Sequence, residues 1–203
     1  MISLGLIFLY VPPEKEMGDI QRIFYFHVPL AWIAFLAFFV VFVTGILYLW
    51  KRHQKWDLLA QASAEIGIIF TTLVLITGPI WAKPVWGSWW TWDARLTATL
   101  ILCLTYVAYL MVRSYAGEEE RGARFASVIG IVGFINVPIV YLSVNLWRTQ
   151  HPEELVSDLG GSMLLTLLVG IATFTAVYVL LMTLSYSIKE LQNRINLLKR
   201  LSQ

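Results

Sequence analysis

Charge is scarce in this chain and cysteine is almost absent. Of its 203 residues, 14% are Asp, Glu, Lys or Arg and 58% are hydrophobic, whereas soluble domains carry roughly 25% charged residues. With a mean hydropathy of +0.69, an ordinary water-soluble fold is excluded and a membrane protein is expected. The single cysteine, Cys103, allows no internal disulfide and no cysteine-based zinc or iron–sulfur site. Disulfide exchange and cluster chemistry are thereby set aside. The net charge of +2 is no nucleic-acid footprint, because the bases stand in short runs between apolar stretches, as the positive-inside rule produces. No internal repeat, low-complexity tract or separate soluble domain is visible.

What the chain does have is long apolar runs and tryptophan. About 20 apolar residues are needed per transmembrane helix, and the sequence predicts an all-α, polytopic bundle forming one integral membrane domain over residues 1–203, with spans near 28–50, 64–83, 95–113, 125–147 and 162–188. A sixth and first span, 2–12, is short: at about 1.5 Å per residue it reaches about half of a ~30 Å hydrocarbon core. It reads as the end of a longer helix or as a tilted half-span, since a signal peptide would need a basic start and a small-residue cleavage site that are not seen. Asn136 and Pro138 predict a kink inside the fifth of these six segments. Residues 189–203 read as an amphipathic extension of the last helix. Ile188, Leu191, Ile195, Leu198 and Leu201 recur there at three or four residues, suited to lying on the membrane surface or to meeting a cytoplasmic partner.

Lysine and arginine set the orientation. Lys51, Arg52, Lys55, Arg113, Arg121, Arg124, Lys189, Arg194, Lys199 and Arg200 fall on one side, and Lys15, Arg22, Lys83, Arg95 and Arg148 on the other. The richer side is expected in the cytoplasm. The inner connections, Lys51 to Lys55 and Glu118 to Arg121, then read as solvated turns. Glu65 reads as interfacial, or as an intramembrane carboxylate if its helix starts earlier.

The nine tryptophans are shared unevenly between the two sides. Trp81, Trp86, Trp89, Trp90, Trp92 and Trp147 lie at the outer end, with Trp32 close by; only Trp50 and Trp56 lie at the inner end. An aromatic belt would spread one or two rings over each helix. Four indoles between Trp86 and Trp92, with Gly87 permitting close backbone approach and Pro84 ending the preceding helix, fit a platform for a large flat apolar ligand better. Two of the three histidines, His27 and His151, flank this connection on the same side. A single histidine at a helix end is commonly just solvated, but two beside an indole cluster suit a six-coordinate haem iron. Arg22, Arg95 and Arg148 could pair with propionates or simply anchor the membrane edge. Asp93 suits an N-cap of the following helix.

These residues resemble a known family. Trp86-Gly87-Ser88-Trp89-Trp90-Thr91-Trp92-Asp93-Ala94-Arg95-Leu96-Thr97 is similar to the "WWD" signature of haem-handling membrane proteins. Gln21 to Pro29 with Ala31-Trp32, and Trp147-Arg148-Thr149-Gln150-His151-Pro152, are similar to the two histidine-bearing outer segments of the cytochrome c maturation protein C (CcmC) family. The likeness runs from about Met17 to the end of the last span, in order; Leu146 stands where many relatives have an aromatic. The resemblance implies six transmembrane helices in the bacterial inner membrane and haem b presented on the periplasmic face. It also implies delivery to the haem chaperone CcmE, which becomes attached to a haem vinyl group through its own histidine, beside CcmD and the ABC-type subunits CcmA and CcmB. Carried over by position, His27 and His151 are the axial ligands. Trp86, Gly87, Trp89, Trp90, Trp92 and Asp93 contact haem or chaperone, and Arg22 and Arg95 are the basic residues nearby.

No side chain looks like a nucleophile paired with a base, so the resemblance describes a delivery subunit rather than a self-contained enzyme. One rival is a transporter subunit moving haem across the membrane, which calls for polar residues along the spans; apart from Glu65 and Asn136 they are nearly bare. Another is a structural subunit whose tryptophans are anchors, which predicts no bound chromophore.

Overall fold

The computed structural model describes residues 2–115, 119–147, 149–151 and 159–202, the side chains of 119 and 200 excepted. Among these residues the fold is helical, with one isolated β-bridge between Glu14 and Gly18. A first turn α1 (Ile2–Gly5) continues as a π-helical turn (Leu6–Tyr10), and a 3₁₀ turn (Asp19–Ile23) leads into α2 (Phe24–Lys51). Then follow α3 (Gln54–Trp86), α4 (Ala94–Tyr115), α5 (Glu119–Phe134), α6 (Asn136–Leu146) and α7 (Gly161–Leu201). Five stretches are long and apolar enough to cross a bilayer: Asp19–Lys51, Gln54–Trp86, Ala94–Tyr115, Glu120–Leu146 and Gly161–Lys199. The expected helical membrane bundle is observed. The short first segment packs against it, burying Ile7 and Val11 against Phe24 and Tyr25 of α2 and Leu167 of α7.

Several helices run past the expected span ends. The 33 residues of α3 cover about 50 Å, more than the ~30 Å hydrocarbon core. Pro84 does not end this helix, contrary to the expectation. Proline removes one N–H and crowds the carbonyl four residues back, but α3 carries both Pro79 and Pro84 and continues to Trp86. The stop comes from Gly87, whose φ of 77° is left-handed and therefore suits glycine. Its N–H donates to the Lys83 carbonyl at 3.0 Å, and Lys83 Nζ donates to the Gly87 carbonyl at 2.8 Å.

The expected kink is a helix break. Pro138 would clash with the carbonyl of Phe134, and Phe134 is where α5 ends. The Ile135 N–H turns back to the Val132 carbonyl at 3.1 Å, and Asn136 Nδ2 reaches across to the Ala98 carbonyl of α4 at 2.8 Å. A side chain at the break thus bonds to the backbone of the neighbouring helix.

The core lies where α2, α3, α4 and α5 meet. Phe38 stacks on Tyr106 with ring centroids 3.7 Å apart, and Tyr106 Oη donates to the Gly130 carbonyl at 3.1 Å. Helices α2 and α3 approach closely at Gly67, where an added β-carbon would sit 2.6 Å from Phe38 Cε1.

The pole that carries Lys51, Arg52 and Arg113 is more structured than its sequence suggests. Asp57, 2% exposed, accepts from Arg113 Nε at 3.0 Å and Nη2 at 2.7 Å and from Gln61 Nε2 at 2.9 Å. Helix α3 begins at Gln54, so Glu65 lies well inside it, and the carboxylate accepts from Lys189 Nζ at 2.6 Å and Ser185 Oγ at 3.4 Å. Glu65 ties α3 to α7. Helix α7 continues unbroken from there through Leu201.

Candidate functional site

Where α2 begins, α3 ends and α4 begins, the bundle opens into a cavity of about 950 Å³ counted with its open mouth. Its walls are apolar, with Phe35 from α2, Leu75 from α3 and Leu102 from α4, and its distinctive groups are His27, His151, Trp81, Trp86 and Arg95. The basic ends of α2 and α4 lie at the opposite pole.

Four of the residues singled out in the sequence therefore line one cavity: His27, His151, Trp86 and Arg95. His27 does not precede its helix as expected; α2 starts at Phe24, so His27 sits in the first turn with its ring fixed in direction by the helix. Its Nδ1 lies 2.8 Å from Thr77 Oγ1 on α3. A β-carbon built on Gly78 would lie 3.4 Å from the ring's Cε1, so the backbone of α3 runs directly behind the imidazole.

The tryptophan connection is divided. Trp86, the last residue of α3, meets Trp81 edge to face at 5.1 Å and 85°, and these two indoles form a corner of the cavity. Trp89, Trp90 and Trp92 do not line it. Trp89 and Trp92 are exposed, and Trp90 meets Trp92 edge to face at 5.5 Å. Trp92 takes a left-handed φ of 47°, an outlier for so bulky a residue. Among the described residues, Trp90 Nε1 is buried without a hydrogen-bond partner, as are Thr97 Oγ1 and Thr149 Oγ1, each of these threonines standing close in sequence to a cavity residue.

Gly87 is outside the cavity as well. A β-carbon there would meet nothing within 4 Å, so the glycine serves the left-handed helix end and not a close backbone approach. Asp93 caps α4 as expected: Oδ1 accepts from the Leu96 N–H at 2.9 Å and Oδ2 from Thr91 Oγ1 at 3.3 Å. The cap fixes the turn that carries Arg95 and Leu96 into the cavity wall. Arg22 is not a cavity residue either. Its Nε donates to Asp19 Oδ1 at 2.8 Å and its Nη1 to the Ile7 carbonyl, with the guanidinium over the Phe8 ring, so it pins the first segment to the bundle. Arg148 and Pro152 lie outside the described residues.

Two cavity neighbours were not singled out from sequence. Trp81 had been grouped only with the outer tryptophans, and Thr77 not at all. Both lie inside the expected span 64–83, where positions 77 and 81 are one helical turn apart and share a face.

The sequence model of the CcmC family, described as heme exporter protein C, matches residues 1–200. The chain is 37% identical over 187 residues to heme exporter protein C of Bradyrhizobium diazoefficiens, covering 89% of this chain and 71% of that protein. It is 32% identical over 199 residues to heme exporter protein C of Haemophilus influenzae, covering 95% and 81% respectively. It is also 36% identical over 170 residues to a cytochrome c biosynthesis ccmC-like mitochondrial protein of Marchantia polymorpha, covering 84% and 72%. A family match along nearly the whole chain, on a helical membrane bundle of the expected kind, shows that this protein belongs to the CcmC family.

Proposed function

We propose that the protein holds haem b in the cavity between His27 and His151, at the periplasmic face of a bacterial inner membrane, and presents it to the haem chaperone CcmE. The observation that carries this reading is that both outer histidines line one apolar, indole-cornered cavity together with Arg95. The residues suit the group: two imidazoles for the iron, Trp81 and Trp86 as aromatic walls, and a guanidinium for a propionate. The side is inferred from charge, since the cavity opens at the pole opposite Lys51, Arg52, Lys55 and Arg113.

Haem is the cargo, and its vinyl group supplies the carbon to which the chaperone histidine attaches. The chain's own contribution is positioning. The two histidines grip the iron from elements distant in sequence, and the apolar walls exclude water. Trp89 and Trp92, exposed on the connection that follows Trp86, offer a landing surface for the chaperone. The left-handed backbone of Trp92 costs about 1–2 kcal/mol, the kind of local strain that concentrates at functional loops. CcmD, CcmA and CcmB complete the assembly in this reading. A transmembrane path for haem through this chain alone has less support, because Asp57 and Glu65 are engaged in ion pairs away from the cavity.

The test is the absorption spectrum of detergent-purified protein with haem, beside His27→Ala and His151→Ala. Each substitution is expected to abolish the wild-type low-spin spectrum and lower chaperone loading. Unchanged spectra and loading in both variants would overturn the proposal.

A further inference from the structure

We propose that Thr77 is a positioning residue that fixes the tautomer of His27 and so leaves Nε2 as the nitrogen available to haem iron; the inference rests on the ligand reading above. A hydroxyl carries one hydrogen. Thr77 Oγ1 lies 2.8 Å from the Leu73 carbonyl one turn back on α3 and 2.8 Å from His27 Nδ1 on α2. The carbonyl can only accept, so its short contact requires the hydroxyl hydrogen. The contact with the imidazole must then be filled by the proton on Nδ1, with Thr77 Oγ1 accepting. In the opposite arrangement, the hydroxyl would donate to Nδ1 and two oxygens would face each other at 2.8 Å with no hydrogen between them.

A neutral imidazole protonated on Nδ1 carries its free lone pair on Nε2. Histidine ligands of metals are generally oriented by a hydrogen bond at the other ring nitrogen, which fixes the tautomer and raises the basicity of the ligating one. Here the acceptor is a threonine hydroxyl whose own proton is committed to the helix backbone. Gly78 lies beside the ring as well, since a β-carbon built on it would be in ordinary van der Waals contact with Cε1 at 3.4 Å. Together, Thr77 and Gly78 hold the ring from one helix while α2 carries it.

The experiment compares wild type, Thr77→Val, Thr77→Ser and His27→Ala as full chains in detergent, loaded with haem. The readouts are the low-spin absorption spectrum and the rate of haem loss to apomyoglobin. Loss of an orienting partner at metal sites typically lowers affinity 10–100-fold. Haem loss from Thr77→Val is therefore expected to be at least ~10-fold faster, with Thr77→Ser close to wild type. Equal behaviour of Val and wild type, or of Val and Ser, overturns the role of the hydroxyl. If His27→Ala leaves the spectrum unchanged, the underlying ligand reading fails instead. A measurement independent of any variant is the ¹⁵N spectrum of histidine-labelled, haem-free wild type. His27 is expected with its proton on Nδ1, and a proton on Nε2 overturns the proposal.

Discussion

Removing one partner of the Asp57–Arg113 pair should expose how the inner pole of the bundle is held. Asp57 is 2% exposed and receives two guanidinium nitrogens of Arg113, whose side chain is 15% exposed. Replacing Arg113 by Met keeps the apolar stem but leaves the carboxylate with the single bond from Gln61. Breaking a buried pair in this way costs about 3–5 kcal/mol. The lower figure applies here, because the pair borders an open pocket also lined by Tyr48, Arg52 and Glu120, where water can reach it. A cost of ~3 kcal/mol is a factor of about 150 in the folding equilibrium, and a fall in Tm of ~6–12 °C on the scale of soluble domains of similar length. The double variant Asp57→Leu/Arg113→Met should recover most of that loss, since apolar replacements of a whole buried pair are often neutral. Thermal denaturation in detergent, followed by size-exclusion recovery, reads both. Arg113→Met within about 1 kcal/mol of wild type, or a double variant no better than the single one, would refute the reasoning. The haem spectrum of the folded fraction should not change, because the cavity lies at the other pole.

Three further outcomes follow from particular contacts. Gly67→Ala would place a methyl group 2.6 Å from Phe38 Cε1 and 3.1 Å from Ala37 Cβ, so a loss of about 1–3 kcal/mol from overpacking is expected in the same thermal assay; a neutral result would mean that α2 and α3 are further apart. Asp93→Ala removes the cap of α4 and should cost about 0.5–2 kcal/mol, with Asp93→Ser largely restoring it; equal stability of the Ala variant and wild type would deny the cap. Trp89→Ala with Trp92→Ala should reduce chaperone loading several-fold while leaving protein level and haem spectrum near wild type, and an equal fall in loading and protein level would favour membrane anchoring.

The spans were legible because a bilayer imposes length and apolarity together, and that signal survives in any single chain. Their ends were not. The first turns of α3 are polar enough to read as a connection, yet Asp57 and Gln61 belong to a helix that continues beyond the hydrocarbon. Asp57 drew no attention in the sequence because its partner Arg113 is 56 positions away and is brought near only by the antiparallel course of α3 and α4. Pro84 misled for a related reason: a proline rule drawn from local sterics does not register how much bending a packed membrane helix tolerates.

In the site, the histidines were legible by scarcity, and the structure brings both to one cavity. The indoles were legible as a group but not individually. Sequence spacing drew attention to Trp86–Trp92, whereas the wall is made by Trp86 with Trp81, a pairing that depends on α3 remaining helical past Pro84. Arg22 looked like a propionate partner from its position at the membrane edge. Its hydrogen bond to the Ile7 carbonyl arises from the fold of the first segment, and no local pattern in the sequence encodes it.

The most direct test of the central claim is the low-spin absorption spectrum of haem-loaded protein compared across wild type, His27→Ala and His151→Ala. Loss of the bis-histidine signature in each single variant is the result expected if both side chains of this cavity hold the iron. A wild-type spectrum retained in both variants would contradict it.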